Sequence, residues 1–157
     1  MAVLEYFVPY RGFETLYLIS NIGEVYSIKS HRVLKASKPN LYLQVTLFAS
    51  GGTHYRRVHQ MVAETFLPAP TSDQTEVNHI DGVKDNNVVN CVMEDGRLIV
   101  LEENTNLEWC SHVQNCNNPN TPHSGWHYSK KSKIKQSVAQ KKRFRERPET
   151  HWRKRKQ

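Results

Sequence analysis

Five side chains in two short stretches could carry out hydrolysis. Asn78 and His79 stand in the run Val77-Asn78-His79-Ile80-Asp81-Gly82, Asn106 opens Asn106-Leu107-Glu108-Trp109, and His112 and Asn115 follow it. A neutral imidazole near its reference pKa takes a proton from water at neutral pH, which makes His79 a candidate general base. Amide oxygens such as those of Asn78 and Asn115 are hard donors able to coordinate Mg²⁺ or a similar cation. A base for water and a cation on the phosphate are what phosphodiester hydrolysis requires. Each residue alone means little. The ordered set with its apolar flanks carries the inference.

These side chains need elements to hold them. Val77 to Ile80 reads as a strand, Asp81 to Asn87 as a Gly- and Asn-rich loop, and Leu107 to Cys110 as a second strand. Ser111-His112-Val113-Gln114 fits a capping box, with Ser111 as N-cap and Gln114 at the third helical position. Asn115 then falls in the first turns of a short helix that Pro119 closes. Upstream, strands over Tyr17 to Ser20 and Glu24 to Ile28 flank the turn Asn21-Ile22-Gly23. Period-two alternation predicts a strand over Leu41 to Phe48, paired with His54 to Val58. Val58, Met61, Val62 and Phe66 recur at helical spacing as a core stripe, and Pro68 ends that helix before a polar connector reaching Thr75.

The 157 residues leave room for one ordinary domain or two small modules. The net charge of +7 hides a division: residues 1–124 hold 9 Lys and Arg against 13 Asp and Glu, whereas residues 125–157 hold 13 against 2. A slightly acidic body thus carries a strongly basic tail. A charge run is commonly a solvated end. Beside a hydrolytic motif it reads as a phosphate-binding arm, with Lys130, Lys131, Lys133, Lys135, Lys141, Lys142, Arg143 and Arg145 as contacts to DNA. Ser129 to Arg147 allows a helix, but Ile134, Val138 and Phe144 are too sparse for a core-facing stripe. No apolar run is long enough to span a membrane, and no secretory signal is evident, so a cytoplasmic location (the host cytoplasm, if phage-encoded) is expected. Three cysteines, Cys91, Cys110 and Cys116, lack paired spacing, which argues against a disulfide framework. Cys110, His112 and Cys116 lie close together, but without Cys pairs two to four residues apart no structural zinc is expected.

The ordered set His79, Asn106 and then His112 with Asn115 resembles the HNH (ββα-metal) homing endonucleases of phages and group I introns. Arg57-Val58-His59-Gln60-Met61-Val62-Ala63-Glu64-Thr65-Phe66-Leu67-Pro68 is similar to the helix preceding that family's nuclease motif. Gly12-Phe13-Glu14, Tyr17, Ile19-Ser20-Asn21, Gly23, Val25 and Ser27 resemble the modular DNA-binding motif these nucleases often carry. The resemblance covers roughly residues 5–118. It implies His79 as general base and one Mg²⁺ or Mn²⁺ per site held by Asn115. Asn78 is a further ligand where some relatives have Asp, and the products would be a 5′ phosphate and a 3′ hydroxyl. Asn106 is expected to position the loop bearing His79. His112 would contact phosphate or metal-bound water, or be a surface histidine. Asp81-Gly82 fits a structural turn. Where family members pass almost directly into Asn-Leu-Glu-Trp, Cys91 to Thr105 intervene here. Asp95-Gly96 between two apolar runs predicts a β-hairpin projecting outside the catalytic fold.

The expected fold is α+β. A β-rich DNA-binding module (1–56) precedes an HNH nuclease domain (57–120, with the 91–105 hairpin insertion) and a basic, helical tail (121–157). Its partner would be double-stranded DNA, a monomer being expected ahead of a homodimer. Two other classes remain: a DNA-binding protein that has lost catalysis, and an RNA-binding protein whose Trp126, Tyr128, Phe144 and Trp152 stack on bases.

Overall fold

Alternation of inward and outward side chains builds the first sheet. Strands β1 (Phe7–Pro9), β2 (Tyr17–Ser20), β3 (Val25–Ser27) and β4 (Arg32–Val33) run antiparallel in that order. Ile19 pairs with Val25 and both are buried. The computed structural model describes residues 3–49 and 51–121, which belong to one unit spanning residues 1–124. Residues 122–157, including the expected helix and its eight basic contacts, lie outside the described residues.

The turn between β2 and β3 does more than reverse the chain. Gly23 sits at φ 97°, and a Cβ there would stand 3.0 Å from both Asn87 Cβ and Val58 Cγ1. Only glycine meets both demands. Asn21, fully buried, donates from Nδ2 to the carbonyls of Leu4 and Val89, while its own carbonyl accepts from the Val89 N–H. The turn is a joint that fastens the first sheet to the loop following His79.

Alternation starting at Leu41 predicts a strand from that residue, but β5 spans Gln44–Ala49. Pro39–Leu41 forms a single 3-10 turn instead, with Asn40 and Leu41 in the left-handed region at φ 54° and 74°. That turn delivers Tyr42, half-buried, toward the site described below. β5 pairs with β6 (Gly52–Arg57), and α1 (Val58–Phe66) follows without a break. Val58, Met61, Val62 and Phe66 are buried along α1, and Leu67 is already extended, as a residue before proline should be.

Next come β7 (Glu76–His79), the hairpin β8 (Cys91–Glu94) and β9 (Arg97–Val100), then β10 (Leu107–Cys110) and α2 (His112–Cys116). The hairpin turns on Asp95 and Gly96 at φ 48° and 75°, the pair of positive values that an Asp-Gly hairpin turn uses. It does not stand wholly outside the fold. Cys91 is 1% exposed within the core, and Leu98 and Val100 pack against it, whereas Met93 and Ile99 face solvent. Its root is therefore structural, because one face of β8–β9 has apolar neighbours to bury against. A single core runs from Ile19, Val25, Val45 and Leu47 through α1 to Val77, Val89, Cys91 and Leu107, across the junction at 56–57. No helix among the described residues is long and apolar enough to cross a membrane.

Candidate active site

β7 and β10 are antiparallel, pairing His79 with Leu107, Asn78 with Glu108, Val77 with Trp109 and Glu76 with Cys110. Partners in a ladder share a face and successive residues alternate, so the site residues are sorted onto two sides. Val77 and His79 lie on the side of α1; Glu76 and Asn78 lie on the side of α2.

On the α1 side His79 is completely enclosed. Its Nε2 lies 3.1 Å from Asn87 Oδ1, an atom that can only accept, so Nε2 carries the proton and Nδ1 the free lone pair. Nδ1 is buried and meets no partner among the described residues. Burial pushes the imidazole pKa below its ordinary value; the bond to Asn87 acts upward and nearby Lys84 downward. The ring packs 5.1 Å from that of His59 and 6.1 Å from that of Tyr42. Arg57 and Lys84 stand over the Tyr42 ring at 5.2 and 5.7 Å. His59 is pushed down to about 3, chiefly by burial and then by His79, Arg57 and Lys84.

Asn106 holds the loop after His79. Its Oδ1 accepts from the Asp81 N–H at 2.9 Å, and its Nδ2 donates to Asp81 Oδ1 at 2.9 Å and to the Asn86 carbonyl at 2.7 Å. Its backbone carbonyl accepts from Ile80 N–H. Asp81 is occupied by this turn, also accepting from Val83 N–H and Asn86 Nδ2. Burial raises its carboxyl pKa, but hydrogen bonds from Asn86, Val83 and Asn106 hold the net value below the usual range. Gly82, at φ 76°, lets the chain pass so close that a Cβ would lie 2.2 Å from the Asn120 carbonyl oxygen.

The α2 side is polar. Asn78 donates to Glu108 Oε1 at 2.7 Å and accepts from Asn118 Nδ2 at 2.8 Å. Asn118, buried, also donates to the His79 carbonyl. Asn115 Nδ2 donates to Glu76 Oε2 at 2.5 Å, which leaves its carbonyl oxygen for other work. His112 Nδ1 lies 2.7 Å from Glu76 Oε1, with the ring mostly exposed. Hydrogen bonds from Asn115 and His112 keep the Glu76 carboxyl below its ordinary value. The capping box forms in full: Ser111 Oγ accepts from Gln114 N–H, and the Gln114 side chain accepts from Ser111 N–H.

The structure thus brings Asn78, His112 and Asn115 to one side around Glu76, sets His79 on the other, and places Asn106 beneath the connecting loop. Glu76, Asn87, Asn118, His59 and Tyr42 are not among the candidate site residues, although His59 lies in the helix stretch and Asn87 in the Asn-rich loop that the resemblance covers. Glu76 has one local signal, its position two residues before Asn78 and hence on the same face. The others meet the site through contacts 8 to 40 residues apart in sequence. Among the described residues no three His, Cys, Asp or Glu side chains gather as a metal cluster. The amide oxygens of Asn78 and Asn115 and the Glu76 carboxylate are hard donors in kind, with Asn78 Oδ1 already accepting from Asn118 Nδ2.

Two antiparallel strands followed by a short helix, with His ending the first strand and Asn in the helix, define the ββα nuclease fold. The NUMOD4 motif matches residues 5–48. DNA endonuclease I-HmuI of Bacillus phage SP01 is 36% identical over 109 residues, covering 69% of this chain and 53% of that protein. An uncharacterised HNH endonuclease of Acanthamoeba polyphaga mimivirus is 33% identical over 100 residues, covering 63% of this chain and 26% of that one. The solved structure describing DNA binding and cleavage by the HNH homing endonuclease I-HmuI superposes with a TM-score of 0.63 at 32% identity, covering 86% of this chain and 66% of that one. The chain is a relative of the HNH homing endonucleases, with a NUMOD4 motif over residues 5–48 and the α+β fold of I-HmuI. It spans about half of I-HmuI and a quarter of the mimivirus protein.

Proposed function

We propose that this chain is a metal-dependent HNH endonuclease that hydrolyses phosphodiester bonds in double-stranded phage or host DNA. One observation carries the reading: Asn87 fixes the tautomer of His79, leaving at the end of β7 an Nδ1 lone pair without a partner among the described residues. That atom would take the proton from the attacking water, and the depressed pKa keeps it neutral and ready to accept. Asn106 is a positioning residue, since it grips the loop and not the substrate. Asn78 and Asn115 would hold Mg²⁺ or Mn²⁺ through their amide oxygens, and the Glu76 carboxylate adds the negative charge that Asn78 lacks. When bound, the cation stabilises charge on the departing 3′ oxygen. His112 would reach toward phosphate from its exposed position.

His79 is enclosed, so Tyr42 has to withdraw before water and phosphate reach it. DNA phosphates would favour that by drawing Arg57 and Lys84 off the ring. The basic tail would clamp further phosphates along the backbone. A monomer with one site per chain would nick one strand at a time, in the cytoplasm of the host. The enclosure of His79 also favours a second reading, a DNA-binding protein without cleavage. Incubation of supercoiled plasmid with the protein, Mg²⁺ or Mn²⁺, and EDTA controls tests both. Nicked circles that vanish with EDTA and with His79→Ala support the enzyme; retarded but intact plasmid under all conditions supports the binding protein.

A further inference from the structure

His59, the second residue of α1, is 4% exposed and packs between two other rings. Its ring centre lies 5.1 Å from that of His79 and 4.8 Å from that of Tyr42. Its Nδ1 is buried without a partner among the described residues, as is Nδ1 of His79. An unpaired buried polar atom costs stability, and a phenyl ring would fill the same place without that cost. Packing alone therefore does not call for an imidazole here. Burial holds His59 neutral, so its ring carries one N–H and one lone pair. Asn87 leaves His79 with a lone pair on Nδ1, and an N–H on His59 Nδ1 is the complement of that lone pair. A donor and an acceptor that share one water stand about 4.5–5 Å apart, given two hydrogen bonds of about 2.9 Å each. Rings whose centres are 5.1 Å apart can present nitrogens at that spacing. Tyr42 packs on both imidazoles, at 4.8 and 6.1 Å, so its withdrawal opens a space that both rings border.

We propose that His59 is a second catalytic residue, whose Nδ1–H donates to the attacking water while His79 Nδ1 accepts from it; the role rests on the nuclease reading above. With one lone pair held by His59 and one proton by His79, the water keeps its other lone pair for phosphorus. The water oxygen bonds to phosphorus, its proton passes to His79, and the bond to the 3′ oxygen breaks. That oxygen takes a proton from solvent. His59 keeps its own proton throughout and sets the direction of attack.

Single-turnover nicking of supercoiled plasmid by the full chain, at saturating protein with Mg²⁺, tests the role, each variant being checked for folding by a thermal melt. His59→Phe keeps a ring and removes the N–H. Its rate should fall about tenfold or more, with DNA affinity in a gel shift unchanged. His59→Asn sets an amide N–H near the place of Nδ1 and should nick at least about threefold faster than His59→Phe. A folded His59→Phe that nicks at the wild-type rate overturns the proposal, and so does a folded His59→Asn no faster than His59→Phe. Side-chain ¹⁵N resonances of the wild-type chain give a second test that needs neither variant nor activity. The proton is expected on Nδ1 of His59 and on Nε2 of His79; a proton on Nε2 of His59 overturns the assignment. A wild-type chain that never nicks DNA removes the nuclease reading and this role together, whereas wild-type nicking with an unaffected His59→Phe removes this role alone.

Discussion

The two faces of β7 differ as sharply as any two regions of this molecule. One face presents His79 to a buried enclosure of His59, Tyr42 and Asn87, where the contact with Asn87 fixes a tautomer. The other presents Glu76 and Asn78 to Asn115, Asn118, Glu108 and His112 in a mesh of hydrogen bonds. Adjacent residues of a strand point opposite ways, so under the proposed function one short strand would serve both a base that needs a neutral imidazole and a cation site that needs hard oxygens. Burial suits the first, because it disfavours the charged form. Carboxylates and amide groups suit the second.

The largest expected effect tests the buried face. His79→Ala should lower nicking by about 10²–10⁴ while leaving DNA affinity nearly intact, because a base is lost and not a phosphate contact. Near wild-type nicking at neutral pH would sink the assignment. On the polar face, Asn115→Ala should also inactivate, but raised Mg²⁺ or Mn²⁺ should restore part of the rate. If added metal never helps, Asn115 is a structural partner of Glu76 and nothing more. The contrast between no rescue at His79 and partial rescue at Asn115 is the sharpest form of the comparison.

Gly82→Ala probes the strap that joins the faces. Its Cβ would collide with the Asn120 carbonyl and its φ is positive, so a loss on the order of 1–3 kcal/mol is expected in a denaturant melt. Asn118, two residues from Asn120, should lose its grip on Asn78 and the His79 carbonyl at the same time. An unchanged midpoint would mean that the 118–121 segment contributes little. A smaller effect is expected from Tyr42→Ala: diethylpyrocarbonate should label His79 several-fold faster, read by peptide mass spectrometry, since one wall of the enclosure is gone. Equal labelling would show that Tyr42 is not the cover.

The smallest effect concerns pH. Folded His59 stays neutral down to about 3, whereas the unfolded residue binds a proton near 6.5. Between those values the unfolded chain holds more protons, so stability is lost as pH falls from about 6.5 toward 3. His59→Phe removes that contribution. Thermal melts between pH 7 and pH 5 should therefore fall more steeply for the wild type than for the variant, and parallel curves would refute the burial argument. His79, shifted in the same direction, keeps a residual slope in both proteins.

Much was legible in the sequence because it depends on neighbours in the chain. The capping box of α2 needs only Ser111 and Gln114, the α1 stripe only helical spacing, the β8–β9 turn only Asp95-Gly96, and the order of Asn78, His79, Asn106 and Asn115 only counting. What the tertiary structure alone decided is how those groups are served. That Asn87 sets the His79 tautomer, that Asn118 holds Asn78, and that Tyr42 covers His79 through two left-handed residues all depend on long-range packing. Gly23 is the plainest case: as a sequence it marks a turn, but only in the folded chain does its missing Cβ leave room for Asn87 beside Val58. Local propensity specifies a turn wherever it occurs, whereas a contact between residues 64 positions apart exists only once a shared core has brought their strands and loops together.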